Sequence, residues 1–421
     1  MKLADDYRSC FETETRSVSE HARAYLTGLL MKAPRKNMER IEEYVEGCAY
    51  ESVQHFLSDS PWDHKVVLDK VALDVCDLFG EAETALIIDE SGLAKKGKMS
   101  AGVARQYNGR LGKVDNCQVG VFAALSDGRQ TALVDARLYL PEEWTDDPER
   151  CRRAKIPPAE RIPRSKLVLA AEMILRAKTL GLGFRWVCVD AFYGASSALL
   201  RQIDGWGIEF IADVRINQHV RQVGTEEPAR SGRIDELFFG EIENEWESIR
   251  VEHLDGPKII NACRHRVFLF DPTDEAERTG WAVCMCDPES GACTYFLSNI
   301  DASLPELARR HTRRYWIERA FQDAKTSLGM ADYQARGWLA WHHHMAMVAL
   351  AQRFLLSEKT GDCRQIELLS AQDVVEALTV LIPRKDTTID QVFGIIERRH
   401  AKHRSARDSK RKINARNALL I

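Results

Sequence analysis

Three carboxylates stand out by their settings. Asp89 closes the apolar run "TALIID" at 84–89, and Asp190 closes "FRWVCVD" at 184–190. Glu318 lies in "YWIERAFQDAK" at 315–325, where Ile317, Ala320, Phe321, Ala324 and the following Leu328 are spaced as one buried helix stripe. Arg314, Glu318, Gln322 and Lys325 border that stripe, although a surface helix usually keeps its charges on the opposite side. Three carboxylates in one cleft repel one another and are costly to desolvate, and a divalent cation removes both costs. All-oxygen ligation with open positions suits Mg²⁺ or Mn²⁺ rather than Zn²⁺. Two such ions about 4 Å apart can clamp a phosphodiester, one activating the attacking oxygen and the other stabilising the leaving oxygen. On this reading Asp89, Asp190 and Glu318 hold metal, while Arg314 and Lys325 hold the flanking phosphates. The competing reading is a helix ion pair, Arg314 to Glu318, with Gln322 near Lys325. Such contacts add only about 0.2–0.5 kcal/mol each and do not explain charge beside a core-facing stripe.

The elements around these acids must bring them together. "TALIIDES" at 84–91, "CQVGVFAALSD" at 117–127 and "TALVDARLYL" at 131–140 read as strands, with Gly128 as a hairpin turn between the last two. A helix follows at about 165–180, with Leu167, Ala171, Ile174 and Leu175 on one face, then "FRWVCVD", a short helix near 195–204, and "IEFIADV" at 208–214. Hairpins first and crossovers later predict a mixed sheet with helices packed on it, and ligands collect at the carboxyl ends of such strands. Residues 215–293, with "IRVEHL", "RVFLF" and "WAVCMC", read as an all-β insertion before "TYFLSNI" at 294–300 returns to sheet texture. Residues 1–80 read as helices, with a capping box at Ser17 and Glu20 and a second start in which Ser60 caps, Pro61 takes the first helical position and Asp63 favours the positive end.

Composition sets limits. The chain has 421 residues, 45% of them apolar, enough for more than one unit with real cores. The net charge of −4 gives no hint of nucleic acid on average. Locally the picture differs. Lys95, Lys96 and Lys98 follow the first acid at once, and "RRHAKHRSARDSKRKINAR" at 398–416 holds nine Lys or Arg against one Asp. Each is either a solvated face or a phosphate-binding surface. There is no run of 18 apolar residues, and the polar N-terminus is not a signal peptide. Eleven scattered cysteines fit a reducing cytoplasm. Three adjacent histidines in "WHHHMAM" at 341–347 point in three directions on a helix, so packing or DNA contact is expected there rather than chelation. Cys284, Cys286 and Cys293 offer three thiols with only Cys263 as a fourth for zinc. Trp186, Trp206 and Trp281 are core residues by default and base-stacking candidates otherwise.

Taken together, these segments resemble a DDE transposase of a bacterial insertion sequence. "DESGLAKKGK" at 89–98 resembles the first-acid region, and "VARQYNGRLGKVDNCQVGV" at 103–121 the segment that follows it in one cut-and-paste group. "VDAFYG" at 189–194 resembles the second-acid strand, "RYWIERAFQDAK" at 314–325 the third-acid helix, and "GWLAWHHHMAMVALAQRFL" at 337–355 the helix after it. The likeness runs from about residue 35 to 356. It implies an α/β, RNase H-like catalytic core interrupted by a β-strand insertion, with a helical N-terminal DNA-binding region and a helical basic C-terminus. The implied organisation is 1–80 DNA-binding, 81–214 core, 215–293 insertion, 294–360 the last core strand and third-acid helix, and 361–421 the C-terminal region. It further implies a metal-dependent DNA endonuclease and strand transferase with Asp89, Asp190 and Glu318 as the metal-binding triad, two Mg²⁺ or Mn²⁺ per site. Related transposases show a Tyr, Arg, Glu, Lys signature with two, three and six residues between. Arg314 and Lys325 fall in place from Glu318, and the Tyr slot holds His311, a candidate phosphate donor beside Lys95, Lys96 and Lys98. The implied partners are double-stranded DNA, both element ends and target, and a second copy of the chain in a homodimeric synaptic complex in the bacterial cytoplasm. The rival expectation is a transposase-derived DNA-binding protein or regulator that does not cut.

Overall fold

A computed structural model describes residues 5–224, 231–239, 245–253, 256–270, 277–360, 370–382, 384–385 and 388–418. Four helices come first: α1 (Ser19–Leu30), α2 (Met38–Tyr44), α3 (Tyr50–Ser58) and α4 (His64–Phe79). Two starts differ from expectation. Ser17 does not cap α1, because buried Val18 anchors the entry and the helix begins only at Ser19. The Ser17 hydroxyl instead meets that of Ser19 at 2.9 Å. Helix α4 is capped by Asp63, which accepts from the Lys65 N–H at 2.8 Å, and neither Ser60 nor Pro61 has a part in the cap. Trp62 is the reason: it stacks on Phe56 and His343 and donates to the Phe56 carbonyl at 3.0 Å, so the chain is free to turn into a helix only after it.

The core strands are β1 (Thr84–Ala94), β2 (Ala104–Asn108), β3 (Lys113–Ser126) and β4 (Thr131–Leu138). Short helices α5 (Glu142–Thr145) and α6 (Pro148–Arg153) lead to α7 (Lys166–Thr179), β5 (Phe184–Val189), α8 (Ala191–Gly194), α9 (Ser197–Gly205) and β6 (Glu209–Val214). Across the sheet they run β4-β3-β1-β5-β6, with β1, β5 and β6 parallel and β3 antiparallel to β1. This is the mixed, RNase H-like sheet with flanking helices. The β3–β4 turn uses Gly128 at φ 79, and a side chain there would collide with the Arg313 guanidinium. Helix α7 buries Leu169, Ala170, Met173, Ile174 and Ala177, a face rotated from the expected one that carried Leu175. Lys166 sets that rotation: it lies on the same face and pairs with Glu90 of β1 at 2.8 Å.

The stretch read as an insertion does not form a layer of its own. Strands β7 (His219–Gln222), β8 (Ser231–Arg233), β9 (Glu247–His253), β10 (Gly256–Phe268) and β11 (Thr279–Cys286), with α10 (Ile234–Phe239) among them, prolong the core sheet through β12 (Cys293–Ser298) in the order β6-β12-β11-β10-β7-β8. Strand β12 pairs antiparallel with β6 and so covers an edge that would otherwise expose unpaired backbone groups. Cys286 and Cys293 face each other in register on β11 and β12 and form a disulfide, an exception to the all-thiol expectation that also removes two of the three zinc candidates.

Helix α11 (Leu304–His311), a 3-10 turn (Thr312–Tyr315) and α12 (Trp316–Thr326) follow, then α13 (Trp338–Thr360), α14 (Ala371–Leu381) and α15 (Ile389–Ala418), which carries the basic segment. Helix α13 is buried almost all round and packs on β4, α1, α3 and α4. Its histidines do the fastening. His343 lies 2.9 Å from the carbonyls of Leu57 and Trp62, and His344 lies 2.8 Å from the Tyr25 hydroxyl. Burial pushes both down, to about 4 and about 3, so they pack as neutral rings. Trp186 is fully buried, which removes it as a base-stacking candidate. Among the described residues no helix is long and apolar enough to cross a membrane.

Candidate active site

The site is built on a fork in the sheet. Ile88 stands opposite Val189, the last residue of β5, and Val189 opposite Ala212 of β6. The next residues are Asp89 within β1, Asp190 just past the end of β5 and Asp213 within β6, so the three acids follow three neighbouring parallel strands about 5 Å apart. Asp89 is not at a strand end, as its sequence setting suggested. Strand β1 runs on to Ala94 because β3 is long enough to pair with it as far as Ala94–Cys117, so Asp89 sits mid-strand where β5 peels away. Asp190 caps α8, accepting from the N–H groups of Phe192 and Tyr193 at 3.0 and 3.2 Å. Gly194 makes this turn possible, since a Cβ there would fall 2.0 Å from the Asp213 carbonyl oxygen.

Burial, and then the charge of Asp190, push the Asp89 carboxyl up to about 7; the Glu90 N–H at 2.6 Å and the Arg314 cation offset only part of that. Two crowded carboxylates of which one resists ionisation are what a bound cation relieves, and every donor here is oxygen. The residues present therefore fit Mg²⁺ or Mn²⁺.

Asp213 is the acid that sequence reasoning missed. "IADV" also closes an apolar strand, so the signal was the same one that marked Asp89 and Asp190. Its oxygens lie 2.7 Å from His311 Nε2 and 2.6 Å from Arg314 Nε. Burial alone would raise its carboxyl, but His311 and Arg314 hold it below the usual range. This corrects two expectations. His311 is 1% exposed and stacked on Phe296 at 4.5 Å, so it does not face a phosphate: a ring ordered between Phe296 and a buried carboxylate has no route to solvent. Arg314 is not paired with Glu318. The 3-10 turn swings its guanidinium back to the sheet, against Asp213 and over the Tyr315 ring at 4.4 Å. Truncating Asp213 to Ala is expected to destabilise the protein by roughly 3–5 kcal/mol, the cost of leaving the Arg314 guanidinium without its buried partner. Urea unfolding checks this, and an unchanged midpoint would mean the cluster is energetically neutral.

Glu318 is exposed beside the buried stripe of α12, the helix that packs over β1, β3 and β4. Among the described residues it joins no ion pair. Asp89 and Asp190 sense each other's charge. Lys325 is partly buried along the Phe321 ring at 5.3 Å. Lys95 turns away from the acids, its ammonium 3.7 Å over the Tyr333 ring, and burial lowers it to about 8. Lys96 and Lys98 are exposed, and Lys96 lines a cleft with Arg35 and Arg336.

A family profile described as DDE superfamily endonuclease matches residues 6–257, and one described as transposase DDE domain matches residues 165–353. A probable transposase for insertion sequence element IS701 from Microchaete diplosiphon is 26% identical over 380 residues, covering 86% of this chain and 88% of that protein. Among solved structures, a piggyBac transposase synaptic complex with hairpin DNA covers 90% of this chain and 75% of its own at 12% identity and a TM-score of 0.45. The NurA nuclease from Sulfolobus solfataricus covers 72% and 95% at 10% identity and a TM-score of 0.25. Both superpositions are loose, and the fold described above rests on this chain's own strand order.

Proposed function

Since the chain belongs to the DDE superfamily endonucleases, we propose that it is an insertion-sequence transposase that cuts phosphodiesters at its element's ends and joins the freed 3′-hydroxyls to target DNA. The observation that carries this reading is the pair Asp89 and Asp190 at the fork of the sheet, with Asp89 pushed up to about 7 by burial and by its neighbour. Asp89, Asp190 and Glu318 would hold two divalent ions, which supply a Lewis acid for both the attacking and the leaving oxygen. The remaining work belongs to the chain. Arg314, fixed by Asp213, keeps a cation beside the acids, and Lys325 with Lys96 and Lys98 takes phosphates of the bound strands. Water attacks first, and the 3′-hydroxyl it frees then attacks target DNA in line.

Among the described residues one chain carries one such acid set, and joining two ends to one target needs two, so the active species is a homodimer bridged by DNA. The place of action is wherever the element lies, the bacterial cytoplasm and nucleoid. The direct experiment is incubation with a plasmid carrying the DNA that flanks the gene, with Mg²⁺, followed by mapping of ends and light scattering of the complex. Ends cut at the element boundary and a two-chain complex are the expected result. Tight end binding with no cutting would instead make the protein a regulator. Binding is expected to weaken steeply with salt despite the net charge of −4, with a log–log slope of about −0.9 per phosphate neutralised. A flat response would mean that the basic segments face away from DNA.

A further inference from the structure

The positive charge after Asp89 extends beyond Lys96 and Lys98, which the proposed site uses, into the hairpin that follows. Residues 94–114 carry Lys95, Lys96, Lys98, Arg105, Arg110 and Lys113 and no acid, in a chain of net charge −4. Strands β2 and β3 form a hairpin whose outer part stands without a third strand. Strand β1 pairs with β3 only as far as Cys117 and β4 only as far as Gly120, whereas β2 pairs with it from Lys113 to Cys117. Asn116 ties the lysine loop to this hairpin, donating from Nδ2 to the carbonyls of Lys95 at 2.5 Å and Gly97 at 3.1 Å. The loop and hairpin are therefore one projection.

Its surface is unusual. Tyr107 stands opposite Val114 and Arg105 opposite Asn116, so Arg105, Tyr107 and Val114 share one face. Tyr107 is 59% exposed, Val114 52% and Leu111 in the turn 44%, with Arg105 exposed beside them, while Lys113, also exposed, stands next to the turn on the opposite face, which carries Asp115. A lone two-stranded ribbon is marginally stable in water and gains nothing by displaying apolar side chains there. A ribbon face that carries Arg105 and an aromatic but no acid, Asp115 belonging to the other face, fits a DNA groove. The major groove admits a two-stranded ribbon, phosphates flank it, and rings meet sugars and bases.

We propose that the β2–β3 hairpin is a DNA-contacting arm that lays its Tyr107, Leu111 and Val114 face in a groove of the duplex held at the active site, with Arg105 on one flanking phosphate and Lys113, reaching round from the tip of the ribbon, on another. The inference rests on the reading that the chain acts on duplex DNA, and it adds where the second contact falls. Phe122 is the β3 residue opposite Asp89, and Lys113 lies nine residues further along the same strand. At about 3.4 Å per residue the arm reaches about 30 Å from the acids. With about 3.4 Å of duplex axis per base pair, that is about nine base pairs from the cut, close to one helical turn.

The test uses the full chain with the photo-crosslinker benzoylphenylalanine at position 107, bound to an end duplex. The expected product is a protein–DNA crosslink about nine base pairs from the scissile phosphate. A crosslink to a second protein chain instead would make this face a protomer interface and overturn the proposal. In parallel, the double variant Arg105→Gln/Lys113→Gln is expected to bind the end about tenfold more weakly at physiological salt and to lower the salt slope by about 2. Its urea midpoint should stay unchanged, because both side chains are exposed. Wild-type affinity and slope in that variant, with no DNA crosslink at 107, would sink the arm while leaving the transposase reading intact. A wild-type protein that neither binds nor cuts its ends would fail at that reading instead.

Discussion

Asp89→Asn, Asp190→Asn and Glu318→Gln proteins each cut element ends at least about a thousandfold more slowly than the wild type, yet shift the same end duplex in a gel at the same protein concentration. The size follows from what the carboxylates hold. A bound ion supplies several kcal/mol of transition-state charge stabilisation, and each 1.36 kcal/mol is a factor of ten in rate. Binding is spared because the surfaces expected to meet phosphates lie elsewhere, on Lys96, Lys98 and the hairpin that follows. Asp190 needs its own control. It also caps α8 through two backbone N–H groups, and the Asn side chain can replace that cap at little cost, whereas Asp190→Ala adds about 1 kcal/mol of instability. Gel shifts lost together with cutting would assign these residues a structural role. Cutting at the wild-type rate by any of the three would remove it from the triad.

The same Asp89→Asn protein, inert in cutting, is expected to be more stable than the wild type at pH 8 without metal. Asp89 titrates near 7 in the folded chain, because burial and Asp190 oppose its charge, against about 3.9 when unfolded. The folded state therefore binds this proton more tightly than the unfolded state does. Stability from this site is fully present below pH 4 and is lost as pH rises from about 4 to about 7. A neutral Asn escapes that loss. The gap at pH 8 is about 2–4 kcal/mol, narrowing toward zero near pH 4, as three pH units at 1.36 kcal/mol each set its ceiling. Thermal melts of both proteins across pH 4–8 in chelator measure it. A gap that is flat with pH would mean that Asp89 ionises at ordinary pH and that the crowding with Asp190 is relaxed by other means.

Much of the core could be read from the sequence because the signals are local. The apolar runs before Asp89, Asp190 and Asp213, the 3.6-residue stripe beside Glu318, and Gly128 between two strands each follow from periodicity or backbone preference within a dozen residues. Local signals also misled where a neighbour competed. Buried Trp62 displaced the α4 cap from Ser60 to Asp63, and the length of β3 carried β1 past the acid that ought to have ended it.

What the sequence by itself determined, then, is the order of elements, which carboxylates follow core strands, and where cations crowd. Only the tertiary structure decided which charges meet. Arg314 had Glu318 four residues away and paired with Asp213, 101 positions distant, as His311 did across 98. The insertion's strands joined the core sheet instead of closing on themselves, and three adjacent histidines scattered to three different partners. The physical reason is common to all of these. A buried charge, a free sheet edge or a buried ring takes the partner that satisfies it at least desolvation cost, and strand register, not spacing along the chain, brings that partner within reach.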